Sequence, residues 1–317
     1  MNKIISFTLC SALAAGMAFA APTFAQDSDK PLAEQIDLSG AHFTVGSKEF
    51  TEQLILGKMT LELLKAAGAD VSDETGLAGS QTARTALKSD RIDMYWEYTG
   101  TGWVSYLGHT TANVQGRLYK KVAAEDLQKN GIKWLKPANY SNSYGIVTNQ
   151  KTAKKYDLKT YSDYGKLLKE HPDAGAICVG NEFAQRDDGL LGLEKAYDWQ
   201  LPDDNVVVLQ ESLVYTQVAQ GSRCNFGDVF TTDGRIKNLD LVLLKDDKNF
   251  FPPYYAALTM REDTFKQYPQ LAKLFGPLSQ ALTLDTMQSL NAAVDVDGKF
   301  PEQVAHQFLV EHDFVAK

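Results

Sequence analysis

The chain has 317 residues, of which 44% are apolar and 23% are charged, and its formal net charge at pH 7 is −8. This length and composition are typical of a globular protein with one large or two medium-sized cores, and we expect two domains. A moderately acidic surface argues against nucleic acid or an anionic membrane as a partner, because both are recognised by basic patches.

Residues 1–25 have the pattern of a secretory signal peptide. Lys3 provides the positive start, an apolar run follows, and small residues near Ala25 predict cleavage after that position. A lipoprotein is the alternative, but Cys10 precedes most of the apolar run and does not follow a small residue. No later stretch reaches the roughly 18 apolar residues that span a bilayer. The sequence therefore predicts an exported, periplasmic protein without a membrane anchor.

Strand and helix patterns alternate from about residue 41 onward. The first predicted elements are a strand in FTVG, a helix over 51–67, a strand around Val71, a helix over 80–88 and a strand in IDMYWEY. Later strands are predicted in IKWLK, YGIVTN, AICVG, VVVL, FGDVF and LVLL, and helices capped at Thr283 and Pro301 are predicted near the end. This order is typical of an α/β fold with a mainly parallel sheet and crossover helices.

Two cysteines, Cys178 and Cys224, remain after the predicted cleavage, and each lies at a predicted strand. In an oxidising compartment they are candidates for a structural disulfide between neighbouring strands. Two buried free thiols are the equally weighted alternative. Their spacing does not indicate a metal site.

The sequence gives little support for catalysis. The five histidines lack the spacing of metal ligands, and no serine has the flanking glycines of a nucleophile elbow. Phosphate-loop and dinucleotide signatures are also absent. Carboxylate pairs such as Asp187 and Asp188 lie in turn-like stretches and are interpreted as solvated charges. We therefore predict a protein that is not an enzyme and that uses no cofactor or metal.

Aromatic residues stand at several predicted strand ends. Tyr98 closes IDMYWEY before TGTG, Tyr144 follows a polar stretch, and Phe230 precedes TTDG. Ligands of α/β proteins bind outside the carboxyl ends of strands, so rings placed there can face a cleft. A box of rings suits a cation without N–H donors, which is attracted to the negative faces of the rings. Core or surface packing is the alternative for each ring taken singly.

Lys48 and Arg186 follow predicted strands and, together with Thr101, could bind a carboxylate at the other end of a zwitterionic ligand. The alternative interpretation of each isolated cation is a solvated surface charge.

The longest motifs, VGSKEFTEQLILGKM, IDMYWEYTGTGW, FAQRDDGLLGLEKAY, TTDGR, LKDDKNFFPPYYAA and LNAAVDVDGKFPEQVAHQFL, cover much of residues 43–314. They resemble the glycine betaine/choline-binding proteins of osmoprotectant ABC importers. The resemblance implies a type II periplasmic-binding-protein fold with a ligand cleft between two α/β lobes. We expect the first lobe to comprise 41–142 and 233–317, and the second lobe to comprise 143–232.

The resemblance also implies the roles of individual residues. The cage positions of the family correspond to Tyr98, Tyr144, Tyr215 and Phe230, and the carboxylate-binding positions to Lys48, Thr101 and Arg186. Gln53 and the backbone around Asn142 are weaker candidates. Phe230 departs from the family pattern, since related proteins often have Tyr there. Tyr254 and Tyr255 are interpreted as packing near the hinge, and Trp96 as part of the core.

A quaternary-ammonium solute is therefore the expected ligand, with a membrane permease as the partner and a monomer as the expected state. The two cations favour glycine betaine or a similar zwitterion such as carnitine, because choline would leave Lys48 and Arg186 without a carboxylate. A secreted enzyme on the same scaffold and a sensory domain are weaker alternatives. As a hypothesis, ligand contacts to both lobes favour a closed state that the permease recognises.

Overall fold

The computed structural model describes residues 30–111 and 118–317. The predicted signal peptide, including Cys10, lies outside the described residues. Within the described part of the chain, no helix is both long and apolar enough to cross a membrane.

The described residues form two five-stranded sheets with helices packed around them. In chain order the strands are β1 His42–Lys48, β2 Asp70–Leu77, β3 Met94–Tyr98, β4 Ile132–Trp134, β5 Tyr144–Asn149, β6 Ile177–Gly180, β7 Val206–Leu209, β8 Phe226–Phe230, β9 Leu241–Leu243 and β10 Ala256–Arg261. The helices are α1 Thr51–Ala66, α2 Gly79–Lys88, α3 Thr99–Thr101, α4 Leu118–Asn130, α5 Gln150–Tyr156, α6 Tyr161–Glu170, α7 Asn181–Gln185, α8 Leu190–Tyr197, α9 Glu211–Gln220, α10 Arg235–Asn238, α11 Glu262–Gln267, α12 Leu271–Ala281, α13 Leu284–Asp295 and α14 Pro301–Glu311.

Several local predictions are confirmed to within a residue or two. Helices α1 and α2 begin and end close to the predicted limits. The Thr283 side chain accepts a hydrogen bond from the Thr286 N–H at the start of α13, and Pro301 is the first residue of α14. Lys48 is the last residue of β1 and not part of the following loop, because β1 still pairs with β2 at this position.

Each sheet is mixed, but four of its five strands run in the same direction, which agrees with the expectation of a mainly parallel sheet. The strand orders are β2-β1-β3-β10-β4 and β7-β6-β8-β5-β9. The single reversed strands are β10 in the first sheet and β5 in the second. Each is the first strand that the chain forms after it crosses from the other lobe. The chain then enters from the cleft, where the other strands end, and so it runs in the opposite direction.

The chain crosses between the lobes twice, near residues 135–143 and 244–255. The two crossings lie side by side, because Ser141 and Tyr255 form a β-bridge and the Asn142 N–H donates to the Tyr254 carbonyl at 3.0 Å. Strand β9 pairs with β5 in the second sheet. The second lobe therefore continues beyond residue 232, where the sequence suggested that the chain returns to the first lobe.

Packing in each lobe fixes the strands that end at the cleft. Trp96 is buried in β3, and its Nε1–H donates to the Thr60 hydroxyl at 2.9 Å, as expected of a core residue. In the second lobe a disulfide joins Cys178 in β6 to Cys224, which precedes β8, with the Cα atoms 5.6 Å apart. This bond links two neighbouring strands that both end at the cleft.

Candidate functional site

Two adjoining cavities lie between the lobes. The aromatic compartment has a volume of about 10 Å³ and is lined by Lys48, Phe50, Tyr98, Thr101, Asn142, Tyr144, Glu182, Phe230 and Tyr254. The acidic compartment has a volume of about 220 Å³ and is lined by Glu49, Phe50, Thr51, Glu52, Asn142, Asn181, Glu182, Gln210, Glu211, Ser212, Phe230, Thr232, Asp233, Arg235, Asn291 and Asp295. The two compartments share four of these residues, so a single ligand can reach both.

Strand ends position the rings of the aromatic compartment. Tyr98 ends β3, and Phe230 ends β8, directly opposite Tyr144 at the start of β5. In an α/β sheet the carboxyl ends of the parallel strands meet at one edge, which here faces the other lobe. The reversed strand β5 starts at this same edge, and so its first residue joins the group.

Five aromatic rings surround the small cavity. The Phe230 ring lies 4.7 Å from Phe50 and 5.3 Å from Tyr144, measured between ring centroids. Phe50 in turn lies 6.2 Å from Tyr98, and Tyr254 meets Tyr144 edge to face at 5.8 Å. A volume of about 10 Å³ holds roughly one water molecule. A larger cation therefore enters only when the rings or the lobes move apart.

Lys48 does not offer a free charge to this compartment. The side chain is buried, and Nζ lies 2.7 Å from Oε1 of Glu97 and 5.1 Å from the centroid of the Tyr98 ring. The other carboxylate oxygen of Glu97 accepts hydrogen bonds from the hydroxyls of Tyr95 and Tyr106. The lysine charge is thus compensated by a carboxylate beneath the site.

Arg186 is held behind the rings and lines neither compartment. Its Nε and Nη2 donate to the two carboxylate oxygens of Asp188 at 2.7 and 2.6 Å, and Nη1 donates to Glu182 at 3.0 Å. The guanidinium carbon lies 5.4 Å from the centroid of the Tyr144 ring. In this arrangement Arg186 supports Tyr144 and the acidic residues next to it.

Tyr215 also lies outside both compartments. It is buried in α9, and its hydroxyl accepts the Phe230 N–H at 3.0 Å, while the Arg235 guanidinium covers its ring at 4.0 Å. The structure therefore brings together five of the predicted residues, namely Lys48, Tyr98, Thr101, Tyr144 and Phe230. Arg186 and Tyr215 line neither compartment and instead contact the lining residues Tyr144 and Phe230.

Sequence reasoning missed Phe50, Glu182 and Tyr254 as lining residues. Phe50 is part of the GSKEF motif, but the motif alone does not show that its ring reaches across to Phe230. Tyr254 was interpreted as hinge packing, and it does lie on a crossing segment. Its hydroxyl also donates to Asp188 of the second lobe, while its ring closes the aromatic compartment.

A buried carboxylate, Glu52, joins the hinge to the rings. It accepts hydrogen bonds from Tyr98 Oη, Tyr140 Oη, Asn142 Nδ2, Thr232 Oγ1 and Asn291 Nδ2. Burial raises the pKa of Glu52, and these hydrogen bonds oppose the rise. Because the donors lie on α13, on the first crossing and directly after β8, Glu52 ties the orientation of Tyr98 to both lobes.

Glu182 makes a polar contact between the lobes. Its carboxylate accepts the Ser80 hydroxyl at 2.5 Å and the Ser80 N–H at 3.2 Å. Burial opposes ionisation of Glu182, but Lys48 and Arg186 are close enough to hold its pKa below the ordinary value. An ionised Glu182 therefore lies where the two compartments meet.

Comparisons of the whole chain with known proteins identify a family of substrate-binding proteins. Residues 41–311 match the family model of the substrate-binding domain of ABC-type glycine betaine transport systems. The glycine-betaine-binding protein of Pseudomonas aeruginosa is 36% identical over 84% of this chain and 87% of its own length. The carnitine transport binding protein OpuCC of Listeria monocytogenes is 30% identical, over 85% and 86% respectively. A crystal structure described as a glycine betaine/carnitine/choline ABC transporter superposes with a TM-score of 0.68 at 26% identity, covering 86% of this chain and 99% of that one.

Proposed function

Because the chain belongs to the family of substrate-binding domains of ABC-type glycine betaine transport systems, we propose that it captures a quaternary-ammonium solute between its lobes and delivers it to a membrane permease. It is a substrate-binding component of an ABC importer. The observation that carries the proposal is the meeting of five aromatic rings between the lobes, three of them at strand ends, one just before α1 and one on a crossing segment.

The physical basis is the attraction between a desolvated cation and aromatic faces. A trimethylammonium group has no N–H donor, so hydrogen bonding cannot select it. Each ring contributes about 0.5–1 kcal/mol when exposed and roughly 2 kcal/mol when desolvated. Several rings together support about micromolar affinity, near −8 kcal/mol, once ordering and desolvation costs are subtracted.

Ligand binding would also favour closure of the lobes. The rings belong to different lobes and to the crossings between them, so one cation touches all of them only when the lobes are together. A ligand shifts a conformational equilibrium by its difference in affinity for the two states. The permease would then recognise the closed form. A periplasmic location and a monomeric state are part of this proposal.

Glycine betaine is the first candidate cargo. A relative that is 36% identical is named for it, and Thr101, whose hydroxyl can donate to a carboxylate, lies beside the rings. Choline is the second candidate, because Lys48 and Arg186 already have carboxylate partners in Glu97 and Asp188. A ligand with a net positive charge would not compete with those carboxylates.

Removal of one ring tests the proposal. We expect Tyr144→Leu to weaken binding of the best ligand at least about 30-fold, which corresponds to the roughly 2 kcal/mol of one desolvated cation–π contact. Tyr144→Phe retains the ring face and should lose far less. The measurement is calorimetric titration of ligand-free protein with glycine betaine, choline and carnitine, with thermal unfolding as the control for folding. If none of the three binds, the proposed ligand class is wrong.

Removal of the charge of Glu97, the partner of Lys48, tests whether Lys48 can bind the carboxylate of a zwitterionic ligand. We expect Glu97→Gln to raise the affinity for glycine betaine relative to choline by about tenfold or more, because an unpaired ammonium attracts the carboxylate and repels the choline cation. The matched control is Asp126→Asn, which breaks the buried ion pair with Arg84 in the same lobe, outside the two compartments. An unchanged ratio in Glu97→Gln would show that Lys48 does not face the ligand carboxylate.

A further inference from the structure

The acidic compartment has more carboxyl groups than neighbouring cations. Six carboxylates line it, and its only lining cation is Arg235. The Arg235 guanidinium is already bonded to Asp233 and lies 3.7 Å from Asp295. Within the described residues, Glu49, Glu52 and Glu211 form no ion pair shorter than 4 Å. Burial raises the pKa of Glu52 and Glu211, and a cation bound in the compartment would stabilise their ionised forms.

The same walls contain buried acceptors that lack donors. Asn142 and Asn291 are only 4% and 3% exposed, and the amide nitrogen of each donates to Glu52, at 3.1 and 3.3 Å. Because a carboxylate can only accept, these bonds determine which way each amide points. The Oδ1 atoms are left without a donor among the described residues. A buried acceptor without a donor is unfavourable, because it has lost its hydrogen bonds to water and gained none in the protein.

A quaternary ammonium group cannot satisfy these acceptors, since it has no N–H. A protonated amine supplies both the positive charge and up to three donors. The compartment adjoins the aromatic rings and shares Phe50, Asn142, Glu182 and Phe230 with them. A group bound there can therefore be only a few bonds away from a quaternary nitrogen held by the rings.

We propose that the acidic compartment is a second subsite, which binds a protonated amine or a similar N–H-bearing cation attached to the quaternary ammonium group in the aromatic compartment. This inference rests on the proposed function and deepens it. A ligand that fills both subsites is longer than glycine betaine and carries a second positive charge on the side of the cleft that α9 and α13 line.

The test compares two ligands that have the same number of non-hydrogen atoms. The probes are (3-aminopropyl)trimethylammonium and n-butyltrimethylammonium, titrated calorimetrically into the wild-type protein at pH 7. We expect the amine to bind at least about tenfold more tightly, because its ammonium replaces the terminal methyl group of the other probe. Equal affinity of the two probes, or tighter binding of the butyl compound, would overturn the inference.

A single substitution tests whether the tighter binding of the amine arises in the acidic compartment. Glu211→Gln replaces the carboxyl group in the first turn of α9 with an amide and should reduce the advantage of the amine to less than about threefold. The matched control is Glu302→Gln, an exposed glutamate in the first turn of α14, which should leave the advantage unchanged. A full advantage that persists in Glu211→Gln would contradict the assignment. If Glu211→Gln does not fold, the wild-type comparison still decides.

Titration with tetramethylammonium and glycine betaine separates the two proposals. If either of these binds through the rings while the amine gains nothing, the second subsite is refuted and the transport proposal stands. If neither of these compounds nor either probe binds, the quaternary-ammonium site itself is refuted, and the inference fails with it.

Discussion

Asp228→Asn is expected to stabilise the folded protein at pH 8 by roughly 2–4 kcal/mol and to have little effect near pH 4. Asp228 is buried in β8, where one carboxylate oxygen accepts the Gly180 N–H at 2.9 Å and the carboxyl group also hydrogen-bonds with that of Glu211. Burial raises the pKa of Asp228 from 3.8 to about 7. Burial and the nearby Asp228 also raise the pKa of Glu211.

The direction of this pH dependence follows from the number of protons that the folded and the unfolded protein bind. Between about pH 4 and pH 7 the folded protein holds a proton on Asp228 that the unfolded chain has already released, so the stability of the wild type falls as the pH rises through this range. A shift of about three pKa units corresponds to roughly 4 kcal/mol at most. Asparagine cannot ionise and can still accept the Gly180 N–H, so the variant avoids this loss.

Denaturant unfolding at pH 4.5 and pH 8 measures the effect. Glu182, Asp233 and Arg235 also act on Glu211, and they remain in place in the variant. The matched control is Asp285→Asn, an exposed aspartate in the first turn of α13, which should show no gain that depends on pH. Equal stabilisation at both pH values, or a loss at pH 8, would mean that Asp228 does not hold a proton in the folded state.

The aromatic part of the site was predictable because it follows from local patterns. Tyr98, Tyr144 and Phe230 stand where a predicted strand meets polar or glycine-rich residues, and ligands of α/β proteins bind at such strand ends. Lys48 and Thr101 were proposed as carboxylate-binding residues from their places after predicted strands, and the resemblance to the family implied the same two positions. All five residues line the aromatic compartment.

The charges around the site were not predictable, because they depend on distances between segments remote in sequence. Glu97 follows Lys48 by 49 residues, and only the neighbouring positions of β1 and β3 bring the two side chains to 2.7 Å. In the sequence no pattern identifies an acidic partner for Lys48 or Arg186. In the structure Lys48 is paired with Glu97, and Arg186 is paired with Asp188. The argument for a zwitterionic ligand therefore loses the support that it took from Lys48 and Arg186.

The return of the chain to the first lobe was misplaced for a similar reason. Strand β9 has only three residues, and LVLL has no feature that assigns it to one sheet rather than the other. Its partner is β5, almost a hundred residues earlier in the chain. Long-range pairing of a short edge strand is decided by the completed sheet and not by local propensity.

Loss of the disulfide is expected to destabilise the protein by about 4 kcal/mol. Cys178 and Cys224 are separated by 46 residues, and a cross-link that closes a loop of this length restricts the unfolded chain by about that free energy. Treatment of the wild type with a reductant and the double substitution Cys178→Ala with Cys224→Ala should therefore lower the free energy of unfolding by similar amounts. Denaturant unfolding with and without reductant gives both values.

The double variant is its own control, because its stability should not respond to the reductant. Titration of two free thiols in the unreduced wild type, with no change in its stability on reduction, would instead support the alternative of two buried thiols. Neither cysteine lines a compartment, so the reduced protein should still bind its ligand while it remains folded. The ligand should then raise the free energy of unfolding by the same amount in the reduced and the oxidised protein, because this increment depends on ligand concentration and affinity and not on the intrinsic stability.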